Sequence, residues 1–112
     1  MVLIIGGAFQ GKRDYVLETL GYPPERIVEH VERIIRDMLE AGKDPLVEIP
    51  RLCDTWQDCA VLLEDICCGV VPMDASDRAW REAVGRCGAY LARRAERVVR
   101  VFCGIGTVMK NA

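Results

Sequence analysis

The sequence predicts a small α/β domain in three layers, with a mostly parallel, shortened sheet of about three to four strands flanked by helices. Three observations carry that expectation. Continuous apolar runs, the mark of strands buried on both faces, occur at residues 2–5 and 59–63, and residues 98–103, apolar but for Arg100, read as a third strand. Segments with helical spacing of apolar residues separate them. The first run also ends in Gly6-Gly7, a turn that hands a strand over to a helix.

In chain order, Val2, Leu3, Ile4 and Ile5 form the first strand. A helix follows over residues 12–20 and closes at Gly21, since glycine accepts the left-handed conformation that ends helices. Pro23-Pro24 opens a second helix, Pro24 suiting a first turn where no N–H is needed. Its apolar stripe is Ile27, Val31, Ile34, Ile35 and Met38, and Gly42 ends it. Residues 46–49 read as a short extended piece stopped by Pro50. Residues 59–63 are the second buried strand, ending at Glu64-Asp65. Asp74 or Ser76 caps a long helix reaching about Arg97, with Trp80, Val84, Cys87 and Leu91 inward. Residues 98–103 are the third strand, and Gly104-Ile105-Gly106 turns the chain into a brief last one.

At 112 residues the chain is read as one domain, residues 1–112, long enough for a single core. Its net charge of −2 offers no basic field for nucleic acid, and no apolar run is long enough for a signal peptide or membrane span. The expectation is therefore a cytoplasmic protein without nucleic-acid or membrane partners. Arg93, Arg94, Arg97 and Arg100 read as a solvated helix face. Six cysteines (Cys53, Cys59, Cys67, Cys68, Cys87 and Cys103) include no C-x-x-C pair, and His30 is the only histidine. They read as small buried hydrophobes; the adjacent pair Cys67-Cys68 would bridge only with strain.

The chemical signal is Gly6, four residues, Gly11 and Lys12: a strand, then G-x-x-x-x-G-K, then a helix. Glycines let the backbone curl so that N–H groups meet phosphate oxygens, the helix start adds partial positive charge, and Lys12 adds a full one. Gly6, Gly7, Ala8, Gly11, Lys12 and Arg13 are thus the candidate nucleotide-binding residues, for GTP or ATP. The plainer alternative is a glycine-rich turn serving the chain path alone. Where the pattern calls for a Ser or Thr hydroxyl on magnesium, this chain has Arg13, which has no lone pair to offer and repels the cation. Arg13 could instead pair with phosphate directly, so binding survives where magnesium-assisted transfer does not. Glu64 and Asp65, ending an apolar strand, have the form of a water-mediated magnesium site, or of carboxylates at any surface loop.

The C-terminal half resembles the bifunctional adenosylcobinamide kinase / adenosylcobinamide-phosphate guanylyltransferase family of cobalamin biosynthesis. Glu64-Asp65-Ile66-Cys67-Cys68-Gly69-Val70-Val71-Pro72 is similar to its N-E-V-G-x-G-I-V-P segment. Gly85-Arg86-Cys87-Gly88 resembles its G-R-V-N, and residues 102–110 resemble its V-x-G-I-G-V-K-I-K end. Gly6-Gly7-Ala8 with Gly11-Lys12 resembles its G-G-A-R-S-G-K-S, and residues 47–52 its E-x-P-x-x-L stretch. The resemblance implies a nucleotide and a corrinoid as ligands, with Lys12 on phosphates and Asp65 assisting a metal. It also implies a histidine that carries GMP in an R-I-x-H-H stretch. Arg26-Ile27-Val28-Glu29-His30 aligns with that stretch, but the first His of the pair falls on Glu29. His30 is thus either a shifted nucleophile or an ordinary surface histidine. Gly88 replaces the family's helix Asn.

Family members are longer, and two strand regions have no counterpart by this alignment: one after the first helix, the other carrying a D-C-L-T-like segment. Their loss would leave a three-stranded remnant with a new open edge, suited to a homodimer. Two function classes follow. One is a shortened kinase or guanylyltransferase. The other is a non-catalytic accessory or regulatory protein that binds a nucleotide or a partner chain.

Overall fold

The computed structural model describes residues 1–66 and 74–111. Its sheet has five strands in the order β2-β3-β1-β4-β5. These are β1 (Val2–Gly6), β2 (Ile27–Val28), β3 (Ala60–Glu64), β4 (Arg97–Phe102) and β5 (Ile105–Asn111). The first four run parallel, with Ile4 beside Leu62 and Val99, while β5 returns antiparallel to β4. The α/β class and mostly parallel sheet match the expectation; the strand count exceeds it.

Helix α1 (Lys12–Tyr15) runs directly into a wider-wound segment, Val16–Leu20, and Gly21 ends it at φ 75°. This segment covers one face of the sheet, packing Val16 and Tyr15 with Ile4, Leu62, Val99 and Val101. Three helices cover the other: α2 (Val31–Glu40), α3 (Pro45–Thr55) and α4 (Ala75–Arg94). They bury Ile35, Ile49, Cys53, Val84, Cys87 and Leu91 against Leu3, Val61, Leu63 and Val98. The connection from β1 to β2 uses the first face and runs one way along the sheet. Those from β2 to β3 and β3 to β4 use the second face and run the other way, as a single crossover hand requires.

Four expectations need correction. First, Pro23-Pro24 opens only a 3₁₀ turn (Pro24–Arg26), and Ile27 and Val28 then pair with β3 instead of continuing as helix. A strand packs Ile27 on one face of the sheet and Val28 on the other, which adjacent positions of one helix cannot do. His30, at φ 57°, then redirects the chain into α2. Second, a strand after the first helix is therefore present, two residues long, so the sheet is not a three-stranded remnant.

Third, residues 46–49 are helical within α3, and Pro50 lies inside that helix. Asp44 caps it, its side chain accepting from Leu46 N at 3.0 Å, and Pro45 occupies the first turn. Pro45, Ile49 and Cys53, each four apart, are buried, and that stripe outweighs the bond Pro50 cannot donate. Fourth, the last strand is not brief: β5 has seven residues, and Cys103-Gly104, both at positive φ, make its hairpin turn. Helix α4 behaves as expected, with Asp74 accepting from Asp77 N at 2.7 Å, but it ends at Arg94.

Candidate functional site

A cleft of about 240 Å³ opens where the strands end, between the glycine loop and the start of α2. Such crevices at the carboxyl ends of parallel strands, where successive connections run opposite ways, are where open α/β sheets take ligands. One wall is Ala8 to Asp14 of the loop; the other is Glu29, His30, Glu32 and Arg33, with Leu62 and Glu64 behind.

The loop is built so that its carbonyls are spent inside the protein. Gly6 O accepts from Asp65 N (2.8 Å) and from Lys12 Nζ (3.1 Å), and Gly7 O accepts from the same Nζ (2.7 Å). Gln10 O accepts from Gly104 N (2.8 Å), and Gly11 O from Tyr15 N (2.9 Å). Among the described residues, by contrast, the N–H groups of residues 7–11 make no hydrogen bond of normal length and angle, although Ala8 and Phe9 form a turn. A loop with engaged acceptors and unspent donors favours an anion. Gly11 adopts φ 87°, and a Cβ there would lie 3.3 Å from Gly104 Cα, so glycine is needed twice over. Gly6 is required for a different reason: a Cβ would sit 2.5 Å from Val101 O of β4.

Helix α1 contributes less than the sequence suggested. It makes a single turn before the winding widens, so little dipole accumulates behind the loop. Lys12 carries the positive charge, and its third N–H direction remains for a ligand. Arg13 pairs with Glu29 across the cleft at 3.1 Å, and not with Glu64 or Asp65. The loop's donor set does not fit a magnesium ion. Arg13 stands at the hydroxyl position and has no lone pair to offer the ion.

The sequence-predicted residues do come together here. Gly6, Gly7, Ala8, Gly11, Lys12 and Arg13 form the loop, Glu64 lies at the back, and Asp65 is hydrogen-bonded to its base. His30 is brought to the opposite wall, its Nδ1 3.3 Å from Glu32 Oε2. Sequence reasoning missed three residues. Glu32 is 2% exposed; its Oε1 accepts from Glu64 N at 2.9 Å, and its backbone oxygen accepts from Trp80 Nε1 at 2.8 Å. Its position, four after Val28 and three before Ile35, was the available signal for burial. Gln10 braces the loop, its Oε1 accepting from Cys103 N at 2.8 Å, and Glu29 pairs with Arg13. Gln10 left no pattern in the sequence, and Glu29 was marked only as the residue at the family's first His position, not as a partner of Arg13. Cys67, Cys68 and the Gly69-to-Pro72 part of the family resemblance lie outside the described residues.

Comparison with known proteins decides the family. The family model described as cobinamide kinase / cobinamide phosphate guanyltransferase matches residues 25–109. The chain belongs to this family. The matched span takes in β2 to β4, most of β5 and the His30 wall of the cleft, while the glycine loop precedes it and stands on its own geometry. No curated protein matched the chain. Membership sets the chain among cobalamin-biosynthesis proteins of transferase type. Among the described residues no helix is long and apolar enough to cross a membrane.

Proposed function

We propose that this chain is a nucleotide-binding member of the cobinamide kinase / guanyltransferase family, holding GTP or ATP by its phosphates in the glycine-loop cleft. Its transferase activity is reduced or lost. The observation that supports this most is the loop's one-sided hydrogen bonding: acceptors engaged internally, donors unspent. A phosphate would take those N–H groups and the remaining donor of Lys12. Such charge-assisted bonds are the strong ones. The cleft's small volume suits the phosphate chain, with ribose and base outside.

Weak transfer follows from the same residues. Arg13 offers no ligand to magnesium, and Glu29 stands where the family's GMP-carrying histidine aligns. Glu29 cannot form the phosphoramidate that a histidine nucleophile forms. His30, held at Nδ1 by Glu32, is the one imidazole that could replace it. A second reading, a non-catalytic accessory or regulatory protein of the same cytoplasmic pathway, is favoured by the Arg13–Glu29 pair, which ties both walls of the cleft together. A corrinoid would be the second ligand only in the catalytic case.

Calorimetric titration of GTP and ATP, with and without magnesium, tests the proposal on wild type and Lys12→Ala. Magnesium-independent binding, weakened about 10- to 100-fold in Lys12→Ala, is expected from loss of a charged hydrogen-bond donor. No heat under any condition would overturn nucleotide binding. Turnover of a cobinamide substrate at ordinary enzymatic rates would overturn the reduced activity.

A further inference from the structure

Arg13 and Glu29 face each other from opposite walls of the cleft. Arg13 stands in α1, directly after Lys12; Glu29 follows β2 and precedes His30, whose positive φ turns the chain into α2. Both backbones are anchored, one by the turn that Tyr15 N closes onto Gly11 O, the other by the pairing of Ile27 and Val28 with β3. The side chains close the gap, Arg13 Nη1 lying 3.1 Å from Glu29 Oε2. A carboxylate and a phosphate offer a guanidinium the same thing, a pair of oxygens sharing negative charge. Glu29 thus takes up the face of Arg13 that a phosphate would use. Lys12 differs: it donates to the neutral carbonyls of Gly6 and Gly7, which leave its charge uncancelled. Glu32, on the same wall as Glu29, is buried, and its two oxygens meet Glu64 N and His30 Nδ1. Among the described residues, Arg13–Glu29 is the ion pair that joins the two walls.

We propose that Glu29 is a built-in competitor of the phosphate ligand: a polyphosphate gains Arg13 only by displacing it. This deepens the proposed nucleotide binding and rests on it. The two side chains are 44% and 33% exposed, so water reaches the pair and Arg13 changes partners without leaving a buried charge behind. The competitor is weak but always at hand, because its anchored backbone keeps it within reach of Arg13. Its cost to a ligand is at most about fivefold in affinity, the factor to which the upper value for an exposed ion pair converts. The loop N–H groups and Lys12 therefore hold phosphate at full strength, while the Arg13 contact is discounted by Glu29.

Calorimetric titration of inorganic triphosphate tests this on wild type, Glu29→Gln, Arg13→Ala and the double variant. The probe carries no base, so only phosphate contacts are read, and about 0.15 M salt screens the general repulsion of an exposed carboxylate. Both substituted side chains are partly exposed, so all four proteins should fold, which thermal unfolding checks. Glu29→Gln should tighten binding about three- to fivefold. In the Arg13→Ala background the same change should tighten it less than about twofold, because the competition has lost its object. Equal tightening in both backgrounds would show a merely repulsive charge and overturn the competitor. Equal affinity of wild type and Glu29→Gln would also overturn it, while leaving phosphate binding in place. No binding by any variant would overturn phosphate binding and the competitor together.

Discussion

Replacing Gly6 by alanine isolates a packing requirement from a ligand requirement. The motif assigns Gly6 to phosphate binding, yet its new methyl would meet not a ligand but the backbone, 2.5 Å from Val101 O, with Lys12 Cγ and Cδ at 3.4 Å. A carbon that close to a carbonyl oxygen must retreat by at least ~0.5 Å, and a strand backbone can give only by separating β1 from β4. Overpacking of this kind costs about 1–3 kcal/mol, and disturbing the end of the β1–β4 ladder puts Gly6→Ala at the upper end. Gly85→Ala is the matched control. Gly85 lies exposed in the middle of α4, and a Cβ there meets nothing within 4 Å. That change should stabilise by about 0.5–1 kcal/mol through helix propensity. The two variants should therefore differ by about 3.5–4 kcal/mol, which for a domain of this size is a gap of roughly 14–32 °C in Tm. Urea and thermal unfolding without nucleotide measure it. A Gly6→Ala protein as stable as wild type would refute the packing account and return Gly6 to the ligand.

Two further outcomes follow from buried polar and thiol groups. Glu32→Ala removes the acceptor for Glu64 N and should cost about 1.5–3 kcal/mol in urea unfolding, whereas Glu32→Gln keeps an amide oxygen there and should cost less. Burial, with the nearby Asp44 carboxylate adding to it, pushes the Cys87 thiol from its ordinary value of 9.0 up to about 11. Because the folded value lies above the unfolded one, stability is intact below about pH 9 and falls as pH rises toward 11, by up to about 2–3 kcal/mol. Cys87→Ser should flatten that alkaline fall, read from urea midpoints at pH 8 and 10.5.

The parts of the fold legible in the sequence were those where a single local signal agreed with tertiary packing. The runs at Val2 and Ala60 are buried on both faces, so unbroken hydrophobicity was a faithful sign. The cap at Asp74 and the stripe of α4 were equally local. Failures came where two signals competed. Pro50 argued against a helix, and only the spacing of Pro45, Ile49 and Cys53 argued for one. Ile27 and Val28 fitted a helical stripe in sequence, but pairing with β3, a contact more than thirty residues away, made them a strand. At the site, the glycines and Lys12 were legible because they form a contiguous motif. Glu32 and Gln10 act through Glu64 and Cys103, partners that no local window joins to them.

The bonds around the loop change what its shape can mean. A glycine loop might keep its form because a ligand selects it, in which case form would imply activity. Here the form is held by the protein: Lys12 ties back to Gly6 and Gly7, Gln10 is clamped by the Cys103-Gly104 turn, and Asp65 N holds Gly6. These contacts engage acceptors of the loop, so its form needs no ligand to hold it. Arg13 and Glu29, which by the family resemblance fall where a metal-binding hydroxyl and a nucleophilic histidine would stand, instead pair with one another at 3.1 Å. An exposed pair of this kind contributes little stability, so it gives the fold no reason to keep both residues. The contacts that hold the loop and the Arg13–Glu29 pair thus belong to separate sets of residues, so the proposed binding does not require the transfer chemistry to be intact.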